Sequence, residues 1–84
     1  MTVYVDNMRA PLGRMVMCHM VGDSEDELHY MADVIGVARK HYQGDHYDVC
    51  LKMRKLAILA GAREITQREL ATIVIARRRN ARAP

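Results

Sequence analysis

The chain opens on two short apolar bursts separated by a turn-rich stretch. "TVYVD" (residues 2–6) alternates and is β-branched, with Val3 and Val5 on one face and Thr2, Tyr4 and Asp6 on the other, so it reads as a strand. "NMRAPLGR" (7–14) reads as a loop marked by Pro11 and Gly13. "MVMCHM" (15–20) is apolar on both faces except for His19, the pattern of a strand covered on both sides. From residue 23 the period changes to that of a helix. Leu28, Met31, Ala32 and Ile35 form one stripe, Ser24 and Glu27 stand in capping-box spacing, and Gly36 supplies the stop. A short strand is expected in 37–43.

A second helix is expected from Val49, capped by Asp48, with Val49, Met53, Leu56, Ala57 and Ala60 inward and a stop at Gly61. "REI" (63–65) reads as another short strand. Thr66 and Glu69 repeat the capping-box spacing and open a third helix with Leu70, Ile73 and Val74 inward. The order β-β-α-(β)-α-(β)-α predicts an α/β domain: a small sheet of two to four short strands covered by three helices.

Eighty-four residues suffice for one core, expected over 1–79 with a frayed basic tail at 80–84. With seven Met and no Trp or Phe, that core is soft-packed, which makes a second copy of the chain a natural partner. Charge is segregated. Residues 23–33 carry five acids and no Lys or Arg, whereas 77–84 carry four Arg and no acid. A basic end suits phosphates, and it equally suits a helix C-terminus. No leader pattern and no apolar run of about 20 residues is present, so the expected location is cytoplasmic, away from membranes, with Cys18 and Cys50 as free thiols.

The chemistry-bearing residues gather at "GDHYDVC" (44–50), at His19 and around the 7–14 loop. A zinc site assembled from His46, Cys50 and one of the adjacent Cys18 and His19 falls short of four ligands, because neighbours on a strand face opposite ways. Neither a metal nor another cofactor is expected. Cys50 in a first helical turn has the place of an activated thiol, but it is flanked by Val49 and Leu51 and reads better as packing. Arg9 and Arg14 flank Pro11 and Gly13 and could converge on one anion. If the first two strands pair antiparallel across an eight-residue loop, Asp6 falls beside Met15 and His19 beside Thr2, so Asp6 and His19 are not expected to meet.

The strings "MTVYVDNMRAPLGRMVMCHM", "ELHYMADVIGVAR" and "HYDVC" followed by "KLAILAGAREIT" resemble the domain of unknown function family 4031, small proteins of bacteria and phages, many of them actinobacterial. The resemblance covers residues 2–66 and implies no activity. It implies that Tyr4, Asp6, Gly13, Arg14, His19, His46, Tyr47 and Asp48 lie in family strings. The expected function is recognition of a phosphate-bearing ligand, a nucleotide or nucleic acid. Arg9, Arg14 and a helix N-terminus at Asp48 would hold it, with His19, His46 and Tyr47 as polar contacts. One alternative is a small phosphoesterase or nuclease-like enzyme using Asp6, His19 and His46 as acid, base and electrostatic groups. The small scaffold weighs against that alternative. Another is an interaction module docking on a host protein.

Overall fold

The computed structural model describes residues 2–82. Its elements are β1 (Val3–Val5), β2 (Ala10–Leu12), β3 (Met15–Gly22), α1 (Glu25–Ile35), a 3-10 turn (Arg39–His41), β4 (Tyr47–Cys50), α2 (Leu51–Leu59), β5 (Arg63–Glu64) and α3 (Gln67–Arg82). The class is α/β as expected, with five strands in the sheet rather than at most four. No described helix is long and apolar enough to cross a membrane, and both cysteines are free.

The long strand β3 organises the sheet. One edge pairs antiparallel with β1 and then with β2, the other pairs antiparallel with β4, and β5 adds parallel to β1. The expected loop 7–14 thus contains a short strand between residues 7–9 and the turn at Gly13. Pro11 is tolerated in β2 because only one side of that strand is paired, and the chain reverses at Gly13, whose φ of 60° suits glycine. The pairing is interrupted between β1 and β2. Val5 faces Met20 and Ala10 faces Met17. Asp6 N–H bonds the carbonyl of His19, so residues 7–9 stand opposite Cys18 alone. This wide bulge moves the register from that of an unbroken hairpin and brings Asp6 against His19, correcting the expectation that the two stay apart.

Alternation along β3 and β4 divides the side chains between two helical layers. Cys18 and Met20 from β3, with Tyr47 and Val49 from β4, turn toward α1 and α2. There they join Val3, Val5, Leu28, Met31, Ala32, Ile35 and Ala57 in one buried cluster. α1 starts as expected: Ser24 Oγ accepts from Glu27 N–H, and Gly36 ends the helix at φ 86°. Gly22 is needed for close approach, since a Cβ there would sit 2.9 Å from the Ser24 carbonyl oxygen.

Three expectations near the middle of the chain are corrected. Residues 39–41 form a 3-10 turn rather than a strand. α2 begins at Leu51, so Asp48 lies in a strand and Cys50 occupies the N-cap without a side-chain bond. The inward side of α2 is Met53, Ala57 and Ile58, while Leu56 is exposed. α3 opens with the expected Thr66–Glu69 box, in which each residue's side chain bonds the other's backbone N–H. It covers the opposite face of the sheet, where Leu70 is buried. The helix persists through Arg82, within the expected tail, and residues 83–84 lie outside the described residues.

Candidate functional site

The face of the sheet under α3 carries polar groups at positions that alternation dictates. His19 stands directly opposite Asp48 in the β3–β4 register. His46 precedes Asp48 by two residues, so both project from the same face as His19. The intervening Tyr47 projects the other way. It is fully buried and bonds His29 Nδ1 at 2.7 Å, and burial pushes its phenol up. Tyr47 is therefore core and not a ligand contact, contrary to expectation.

Each imidazole is held from behind by a carboxylate. Asp6, fully buried, leaves the ladder at the bulge, and its carboxylate takes the place its carbonyl would have filled. Oδ1 accepts His19 N–H at 2.8 Å and Met8 N–H at 3.2 Å, and Oδ2 meets His19 Nδ1 at 2.8 Å. The freed Asp6 carbonyl accepts Arg54 Nε at 2.8 Å, and Arg54 also bonds Glu64. His46 Nδ1 lies 2.6 Å from Asp45 Oδ1, and Asp45 Oδ2 accepts Arg78 Nε from α3 at 2.8 Å. Burial pushes the Asp45 carboxyl up, but the bonds from His46 and Arg78 outweigh it and hold it below the usual carboxylate range.

A carboxylate only accepts, so both Nδ1 atoms act as donors and both Nε2 atoms are left facing forward. They converge on Asp48. Its Oδ1 lies 3.4 Å from His46 Nε2 and 3.9 Å from His19 Nε2. Although the Asp48 side chain is 35% exposed, Oδ1 itself is buried and accepts no hydrogen bond from any of the described residues. Oδ2 is occupied by Gln43 Nε2 at 2.8 Å. The two rings meet edge to face, with centroids 5.3 Å apart.

His19 and His46 also line a cavity of about 290 Å³, walled by Leu70, Val74 and Ile75 of α3 and carrying Gln67 and Arg78 at polar positions. Arg9 and Arg14 do not line it. Both are exposed, and Arg14 lies in the turn before β3, five residues ahead of His19. No helix N-terminus sits at Asp48, so that part of the expected anion grip is absent from its expected place. Cys18 is buried with its thiol 3.2 Å from the Met8 carbonyl, and burial pushes the thiol up, the opposite of an activated nucleophile.

Of the residues singled out in the sequence, Asp6, His19, His46 and Asp48 come together. Three partners were missed: Asp45, Gln43 and Arg78. The signal that His46 and Asp48 share a face was the string "HYDV", in which they alternate with the core residues Tyr47 and Val49.

A family model described as "Protein of unknown function (DUF4031)" matches residues 3–77, which takes in every member of the cluster except Arg78 and extends past the expected resemblance into most of α3. No curated protein and no solved structure matches the chain.

Proposed function

The chain belongs to the family described as Protein of unknown function (DUF4031), and we propose that it is a small phosphoesterase or nuclease-like enzyme whose reaction centre is the His19–His46–Asp48 cluster. The observation that carries this reading is the convergence of two carboxylate-backed imidazoles on one buried carboxylate oxygen beside a cavity. Such backing fixes ring orientation and tautomer before substrate arrives. The groups stand on or beside paired strands with their own supporting bonds, which answers the objection that a small scaffold cannot preorganise them.

In this reading Arg78 and Gln67 receive the phosphate of a nucleotide or nucleic-acid substrate. Water held at the cluster attacks phosphorus, the P–O ester bond breaks, and the proton lost by the water neutralises the departing oxygen. Asp6 and Asp45 position the imidazoles and do not touch substrate. The test is turnover of p-nitrophenyl phosphate esters, nucleotides and short oligonucleotides, each with divalent metals supplied and in chelator. Turnover falling about 10²–10⁴-fold in His19→Ala, with an unchanged circular dichroism spectrum, is the expected result. Wild-type protein that cleaves none of these substrates under either condition sinks the enzyme.

The apolar wall formed by Leu70, Val74 and Ile75 favours a second reading, in which the same cavity binds a phosphate-bearing ligand without turnover. Under it, a nucleotide at about 100 times its dissociation constant stabilises the fold by about 2.7 kcal/mol while remaining intact.

A further inference from the structure

We infer that His19 Nε2, His46 Nε2 and Asp48 Oδ1 hold a divalent transition-metal ion. The inference rests on the hydrolytic reading for its chemical role, since the ion would be what activates the water there. Its structural support is separate.

The support begins with what faces what. Asp6 and Asp45 fix the proton of each imidazole on Nδ1, so each Nε2 presents a lone pair. Both point toward a carboxylate oxygen that is buried and unbonded. Three electron-pair donors therefore meet with no proton between them. A buried acceptor left without a partner is costly, and three turned on one point repel. Relief of that repulsion calls for positive charge where the three atoms meet. A cation removes it directly.

The spacing agrees. Nitrogen and oxygen ligands about 2.0–2.2 Å from a tetrahedral ion stand roughly 3.3–3.6 Å from each other. His46 Nε2 and Asp48 Oδ1 are 3.4 Å apart and His19 Nε2 and Asp48 Oδ1 3.9 Å, while all three ligand atoms lie within 4.8 Å of one another. The His46–Asp48 separation already fits, and the His19–Asp48 separation needs to shorten by a few tenths of an ångström. Imidazole ligands backed by carboxylates are the usual outer arrangement of such centres. Two imidazoles and one carboxylate suit zinc, manganese, iron(II) or cobalt(II) better than magnesium or calcium, which prefer oxygen. Three protein ligands leave a position for water or substrate, as catalytic centres do.

The sequence concealed this set because its ligands are far apart in the chain and none forms a paired hook. His46 and Asp48 are joined by strand alternation, and His19 enters through the β3–β4 register.

The experiment uses the full chain without an affinity tag, stripped with chelator and titrated calorimetrically with Zn²⁺, Mn²⁺ and Co²⁺, with the visible spectrum of the Co²⁺ form recorded. The expected result is one ion per chain with nitrogen–oxygen ligand-field bands. Asp48→Asn and His46→Ala abolish the binding, and Asp6→Asn, which sets an amide donor against His19 Nδ1 and so disturbs its tautomer, weakens it about 10–100-fold. His41→Ala, which alters an exposed histidine outside the set, leaves affinity unchanged. Circular dichroism establishes that each variant is folded. Absence of stoichiometric binding in wild type, or equal binding in folded Asp48→Asn and His46→Ala, overturns the site. A bound ion with no cleavage of any phosphate ester upholds the site and sinks the hydrolytic reading. Full turnover in the stripped protein upholds the hydrolytic reading and overturns the ion's role in activating the water.

Discussion

The two faces of this sheet are built from the same two strands and solve opposite problems. On the α1–α2 face, Cys18, Met20, Tyr47 and Val49 meet aliphatics in a closed, almost wholly apolar layer. On the α3 face, residues one step along the same strands, His19 and Asp48, meet His46 and a cavity. The first face gains from every contact it excludes from water. The second keeps a carboxylate oxygen unbonded and holds its cover partly through an exposed ion pair from Arg78 to Asp45, a kind of contact worth at most about 1 kcal/mol. Period-two alternation lets a chain of 84 residues place a closed apolar core on one side and a polar cluster on the other.

The sharpest way to break that division is to damage the stable face. Met20→Ala empties a fully buried position and should cost about 3 kcal/mol in denaturant unfolding. Metal affinity per folded molecule should be unchanged. Next is Asp6→Ala, at the junction of the two faces. It orphans two backbone N–H groups and the His19 Nδ1 proton, and should cost about 2–3 kcal/mol while also loosening the His19 ring. A smaller effect of opposite sign is expected on the chemical face. In chelator, Asp48→Asn places an amide where the acceptors crowd, keeps an oxygen for Gln43, and should raise stability by up to about 1 kcal/mol. A loss larger than that would mean Asp48 serves the fold first.

The mildest probe is pH. Tyr42 is pushed up to about 12, by burial first and then by its hydrogen bond to Glu25. An unfolded tyrosine ionises near 10. The neutral phenol's contribution is therefore whole below about pH 10 and is lost between about 10 and 12 as the folded state resists ionisation. Near-ultraviolet titration should show late phenolates, of which the Tyr42 step alone shifts back toward 10 in Glu25→Gln.

Local signals carried much of the fold. The capping boxes at Ser24–Glu27 and Thr66–Glu69, the α1 stripe and the strand character of β1, β3 and β5 were all readable, because each depends on residues within one or two turns of each other. β4 was not readable for a reason particular to it. It passes into α2 without a connecting loop, so Asp48 ahead of "VCLKMRKLA" looks like a helix cap, and four residues are too few for alternation to outweigh the helical period that follows. β2 was hidden by Pro11 and Gly13, which are turn signals by composition. The meeting of Asp6 with His19 was invisible because it depends on where a bulge falls, and nothing local sets that. Hence the individual site residues Asp6, His19 and His46 were legible, while their arrangement was not.

The bulge at residues 7–9 has a consequence for how this chain tolerates changes in length. Surface connections ordinarily accept insertions and deletions at little cost, since closure entropy varies slowly with length. The Gly13 reversal is such a place. The stretch from Val5 to Ala10 is not. Removing two of residues 7–9 would let β1 run flush into β2, returning the Asp6 carbonyl to His19 N–H in the ladder and withdrawing it from Arg54. The shortened protein would gain a regular hairpin, and its carboxylate would no longer be locked behind His19. In this chain a deletion that makes the hairpin regular would dismantle the cluster, so the spacing of residues 5–10 is what holds Asp6 behind His19.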